Sequence, residues 1–299
     1  MIKEIKEKVL TYILFVLMVT ALSSFLYLAY INKDAQAQVE EAEKLTQSMV
    51  SDYERSDENK EMTDFVDQNL KRNIDFKALK AKNKDTYMWL YYPDSKFDFP
   101  VVMEREVGKY HYDLINFEGK KTFSGTPLIP KSPEGEDFRT LILSHRMINY
   151  WGEDDYLFSH LPKRWADKES SEEAKYVYTY KDNMSYRWKI WTSLPLRGDD
   201  IVYQTPYEKD SEDYAKLLEH IKGTTQYTIG EDPDASVPTL MLSTCSKASD
   251  TVNIGRFCVV FKLDQIYDKK KGTLEYFNDD NLAEKWLAEN DEMRDGDGK

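Results

Sequence analysis

The sequence predicts a mainly β protein with added helices, held on a single N-terminal membrane anchor. Three observations predict it. An uncharged apolar stretch runs from Val9 to Ile31, short β-branched and aromatic runs begin at Tyr87, and the residues between show helical spacing. With 299 residues and 41% hydrophobic content the chain can bury one sizeable domain, which excludes a disulfide-stapled miniprotein and a mainly disordered tail. Acidic residues number 54 against 41 basic, and no Lys/Arg block interrupts that balance, so no nucleic-acid groove is expected. The two cysteines, Cys245 and Cys258, lack metal-ligand spacing. Neither a structural metal nor another cofactor is therefore expected.

The apolar stretch is long enough, at ~1.5 Å rise per residue, to cross a hydrocarbon layer of ~30 Å. Lys3, Lys6 and Lys8 precede it and a mainly acidic segment comes after, so the positive-inside rule puts residues 1–8 in the cytoplasm and everything after the span (9–31) outside. A cleaved signal peptide is the rival reading, given Ala35 and Ala37, but its apolar region is ordinarily shorter. Residues 32–83 read as a helical stalk and cover: Val39, Ala42, Leu45 and Met49 recur at helical spacing, then Met62, Phe65, Val66 and Leu70, then Phe76 and Leu79.

Residues 84–268 read as the β domain. The runs YMWLYY, FPVVM, TLIL, YVYTY, RWKIW, TLMLST and RFCVVFKL are strand candidates separated by turn-forming residues. One helix interrupts them, from Asp210 to Lys222, with Tyr214, Leu217, Leu218 and Ile221 on one face, Asp210 or Ser211 as N-cap and Gly223 as its stop. The charged extension 269–299 could add one packed helix through Leu282, Trp286 and Leu287.

Chemistry is expected where strands end. Cys245 closes TLMLST, His145 follows TLIL and Ser144, and Arg256 opens the last run. A thiolate and an imidazolium suffice for acyl transfer through a thioester, and a guanidinium can steady the oxyanion. Against this, a lone strand cysteine is more often a small buried hydrophobe and an arginine more often a surface residue. Cys258 reads as a buried free thiol, with a regulatory disulfide to Cys245 as the alternative. His111, His160 and His220 read as structural or exposed, and pairs such as Asp154 with Asp155 as solvated loop charges.

The block LSTCSKASDTVNIGRFCVVFKL resembles the TLxTC signature of sortases, in which an Arg opens the next strand about ten residues after the Cys. TLILSHRMI resembles the strand that delivers the sortase histidine, and IDFKALKAKNKDTYMWLYYPDSKFDFPVV the N-terminal helix and first strands of class B members. Ser144, Met88 and Ser246 depart from the usual pattern. The resemblance implies a sortase-like β-barrel of about eight strands, with a helix before the last two. It implies Cys245 as nucleophile, His145 as general acid and base, Arg256 as oxyanion or substrate-orienting group, and Ser243, Thr244 and Ser246 along the peptide site. It further implies a transpeptidase that cleaves a C-terminal sorting signal of secreted proteins, NPxTx-like, and passes the acyl group to a peptidoglycan precursor. A pilin Lys as acceptor, a hydrolytic cysteine protease, and an anchored module that only binds peptides are the alternatives.

Overall fold

The computed structural model describes residues 2–51, 66–93, 97–131, 138–148, 154–204, 206–245 and 255–276. It opens with one unbroken helix, α1, Ile2–Met49. Within it Lys8–Ile31 forms a 24-residue stretch long and apolar enough to cross a membrane. No cap or Pro separates this stretch from the stalk, so the helix continues until Leu45 and Met49 are buried against the domain, 8% and 7% exposed. Of the expected second helical run, Met62 and Phe65 lie outside the described residues, and Gln68–Lys71 forms one 3-10 turn capped by Asp67. The third is helix α2, Phe76–Lys82, whose N-cap Asp75 accepts from the Ala78 N–H at 2.8 Å.

All seven expected runs lie in strands: β1 Thr86–Tyr91, β2 Asp98–Met103, β4 Arg139–Leu143, β5 Tyr176–Tyr180, β6 Met184–Arg197, β7 Thr239–Cys245 and β8 Gly255–Asp268. Between β2 and β4 lies β3, Leu128–Ile129, two residues flanked by Pro127 and Pro130 and too short to show alternation in sequence. The neighbour order is β6-β5-β1-β2-β3-β4-β7-β8, and β8 pairs back onto β6 to close an eight-stranded mixed barrel. The pairs β2/β3 and β4/β7 are parallel, the rest antiparallel. Register shifts at Arg187/Trp188 and Ile190/Thr192 let the 14-residue β6 bend enough to meet both β5 and β8. A further strand, β9 Thr273–Tyr276, extends the edge of β8 inside the segment read as a charged extension. The helix expected around Trp286 lies outside the described residues.

The side-chain period of two sorts residues into two cores. Met88, Leu90, Phe99, Val101 and Val177 join the barrel interior, with Trp165, Trp188 and Trp191 at 1% exposure or less. Each such Trp removes roughly 200 Å² from water, worth at most about 5 kcal/mol before ordering costs. Trp89, Val102, Tyr178 and Tyr180 face the other way and pack under Leu45, Met49, Leu70, Phe76 and Leu79. That second core is what the N-terminal helices cover. It is pinned by Arg72, which donates to both oxygens of Asp98 at 3.1 and 2.8 Å while its guanidinium lies 3.9 Å from the Tyr91 ring centre.

Later in the chain come α3, Lys168–Glu173, and α4, Glu212–Thr224, the latter in the connection before β7. Ser211 is the N-cap of α4, accepting from the Tyr214 N–H at 3.1 Å. Gly223 does not stop the helix. It lacks the positive φ of a C-terminal glycine cap, and the chain continues to Thr224 before Thr225 bonds back to Ile221.

Candidate active site

Register alone brings three reactive side chains to one rim of the barrel. In the parallel pair, Ser243 of β7 lies beside Leu143 of β4, so two residues further along each chain come Cys245 and His145. In the antiparallel pair, Cys245 lies directly opposite Arg256 of β8. The strand ends are tied together: the Ser144 N–H donates to the Ser243 carbonyl at 3.2 Å, and Thr244 Oγ1 to the Ser144 carbonyl at 2.9 Å. Ser243 is also held, with 2.7 Å between its hydroxyl and that of Tyr203. Ser243 and Thr244 are therefore both locked by their own hydrogen bonds, at 1% and 2% exposure.

Cys245, His145 and Arg256 line one cavity of about 310 Å³, together with Ser243, Thr244 and Asp113. That volume suits a few side chains of a peptide. Ser246 lies outside the described residues. His111, His160 and His220 are absent from the lining; His220 sits 3.0 Å from both oxygens of Asp200. Among the described residues no group of three or more His, Cys, Asp or Glu is placed to hold a metal ion.

Each reactive group has a specific partner. Arg256 Nη1 donates to Cys245 Sγ at 2.8 Å, which sets permanent positive charge against the sulfur. His145 Nε2 lies 2.8 Å from the Asp113 carbonyl oxygen and 3.0 Å from its Oδ1. A carbonyl can only accept, so Nε2 carries the hydrogen and Nδ1 is the nitrogen left to exchange a proton. The hydrogen bond that Nε2–H donates to the Asp113 carboxylate, outweighing the opposing effect of burial, raises the His145 pKa above its ordinary 6.5. The same bond to His145 holds Asp113 below the usual carboxylate range. In chemical terms the rim offers a thiol beside a cation and an imidazole biased toward its protonated form, the two ends of an acyl transfer.

Asp113 escapes a reading of the sequence. It is far from His145 along the chain and belongs to no motif; the one signal near it is KYHYDL, which points to His111 instead. Tertiary packing places it. Gly125 sits at φ +61 under the Asp113 and Tyr112 carbonyls, where any Cβ would collide. Buried Glu104 accepts from the Tyr112 N–H at 2.8 Å, and Thr126 N–H donates to the Tyr112 carbonyl at 2.9 Å. Tyr203 was missed for the same reason. The two cysteines are free, and Cys258 is fully buried, its thiol pushed up to about 12 by desolvation. It lies opposite Ser243, one step diagonal from Cys245, a separation of roughly 7–8 Å that exceeds disulfide reach.

No family model matches the chain. It is 25% identical over 194 residues to Sortase B of Listeria monocytogenes, which covers 63% of this chain and 74% of that protein. Sortase B of Clostridium perfringens superposes with TM-score 0.54 at 25% identity, over 63% of this chain and 98% of that one. A sortase B–substrate complex of Staphylococcus aureus superposes with TM-score 0.54 at 19% identity, over 63% and 84%, a likeness of fold.

Proposed function

The chain is sortase-like and of the class B kind, and from that premise we propose that it is a membrane-anchored cysteine transpeptidase working outside the cell. It cleaves a C-terminal sorting signal of secreted proteins, NPxTx-like, and joins the new C-terminus to a cell-wall amine. The observation that carries this reading is the shared register of β4, β7 and β8, which delivers His145, Cys245 and Arg256 to one cavity. The Cys245 thiolate attacks the scissile carbonyl and a C–S bond forms. The C–N bond then breaks as the His145 imidazolium protonates the departing amine. An acceptor amine attacks the thioester, gives its proton to the imidazole, and releases the sulfur. Arg256 offers further N–H donors to the tetrahedral oxygen beside the one on the sulfur.

The peptide half of the reading is supported by the S. aureus complex, in which a sortase B holds its substrate. The amine half is supported by a solved sortase B in complex with triglycine. The span Lys8–Ile31, with lysines before it, supports an anchor whose N-terminus is cytoplasmic. Incubation of the full chain with sorting peptides, followed by intact-mass measurement, tests the proposal. A covalent adduct at Cys245, its absence in Cys245→Ala, and incorporation of an added amine into the product are expected. Cleavage retained by Cys245→Ala refutes the enzyme reading. A product unchanged by amines makes it a protease, and tight binding without an adduct makes it a binding module.

A further inference from the structure

Beyond α1, the large apolar side chains exposed among the described residues are Val107, Tyr110, Leu114, Phe123 and Tyr276. All but Tyr276 belong to one strap, residues 104–127, between β2 and β3. Scattered exposed apolar residues need no explanation, but a cluster on one segment does. The same strap lies along α1. The Phe123 ring meets those of Tyr27 and Tyr30 edge-on, with centroids 6.4 and 6.1 Å apart. Its N–H donates to Asp34 Oδ2 at 3.2 Å, while Asn116 and Lys120 donate to the two oxygens of Glu41 at 3.0 and 2.8 Å. Residues 27, 30, 34 and 41 share one helix face, so these contacts fix the strap along about 20 Å of helix.

The position of that contact matters more than its extent. Tyr27 and Tyr30 fall inside the apolar stretch, which ends at Ile31. Tyr27 lies four residues before that end, about 6 Å into the span at helical rise. If the stretch crosses a bilayer, Phe123 sits at the depth where aromatic rings and headgroups mix. Leu114 is its neighbour across a small hairpin, since the Thr122 N–H donates to the Leu114 carbonyl at 2.9 Å and Ile115 bridges Lys121. Lys120 is taken up by Glu41 and Glu118, at 2.8 and 3.0 Å, so the rings of Phe123, Tyr27 and Tyr30 rather than free charge are what this tip offers a bilayer.

We propose that the tip of this strap, Phe123 with Leu114, docks on the outer interface of the lipid bilayer and makes a second membrane contact beside the span. The proposal rests on the anchor reading given above. Its consequence reaches the site: Asp113, which holds His145, ends the short 3-10 turn His111–Asp113 and adjoins Leu114 in the chain. The wall of the groove is thereby held at a fixed, small height over the membrane.

The test uses the full chain in vesicles of three parts zwitterionic to one part anionic phospholipid. An environment-sensitive fluorophore is attached at Phe123→Cys, Leu114→Cys or Leu17→Cys in a Cys245→Ser background, with Cys258 buried and unlabelled. Lipids carrying a headgroup nitroxide should quench the label at 123 at least twofold, with or without quenching at 114, while acyl-chain nitroxides quench the label at 17. Quenching at 17 with none at 123 or 114 overturns the docking and leaves the anchor intact. No quenching at 17 by acyl-chain nitroxides overturns both.

Discussion

Replacing Asp113 by Asn removes the negative charge beside His145 and leaves the rest of the rim unaltered. The backbone carbonyl of residue 113 still accepts from Nε2, so what is lost is the carboxylate contact at 3.0 Å. A hydrogen bond between charged groups is worth about 1.5–3 kcal/mol when sheltered, an exposed ion pair about 0–1. The Asp113 side chain is 53% exposed and that of His145 29%, so solvent screening sets the loss near 1 kcal/mol, about fivefold in kcat/KM. The sign comes from the raised His145 pKa. Without the carboxylate it falls, and the limb of the bell-shaped profile that belongs to the imidazole moves to lower pH while the other limb stays. Initial rates with a fluorogenic sorting peptide between pH 5 and 10 measure this for the native protein, Asp113→Asn and Asp113→Glu, the last restoring part of the profile. Superimposable limbs in native and Asn proteins would refute a role for Asp113 in setting the His145 proton.

The same pair predicts a window of stability. Asp113, with its pKa lowered, contributes above about pH 3.8 and loses the contribution as pH falls through its folded pKa; His145, with its pKa raised, contributes fully below 6.5 and loses it as pH rises through its own. The melting-temperature gap between native and Asp113→Asn proteins should therefore be widest between about pH 4 and 6.5. Gly125→Ala forces a Cβ against the Asp113 and Tyr112 carbonyls at φ +61, and chemical denaturation should show a loss of about 2 kcal/mol or more, with the imidazole limb displaced as well. Asp98→Ala strands Arg72 and the Trp89 indole, which donates to Asp98 at 2.6 Å, and should cost about 2–4 kcal/mol by urea melts without moving the pH profile. Iodoacetamide should add once to the native protein, at Cys245, and twice after denaturation; two native adducts would contradict the burial of Cys258.

The strands were legible because each carries its own signal. Alternation places Leu90 inward and Trp89 outward within YMWLYY, and the same period runs through YVYTY. Two-residue β3 between prolines has no period to read, and β9 lies in a segment whose charge masks it. Gly223 differs from the expected stop because a glycine near a helix end stops it only when it takes a positive φ, which packing decides. Likewise the length of the span was plain, while its continuation as one helix to Met49 depended on a face of the domain against which Leu45 and Met49 could bury.

Local facts are written in the chain: an apolar span, strand-period runs, and a Cys, a His and an Arg each at the end of a run. Those come from side-chain chemistry over neighbouring residues. Which strand ends share a rim depends on the closure of the barrel, and which carboxylate reaches His145 depends on a strap folded over Gly125. Contacts between residues far apart in the chain leave no periodicity to read, so Asp113, Tyr203 and the aromatic contact of Phe123 with α1 came from tertiary structure alone.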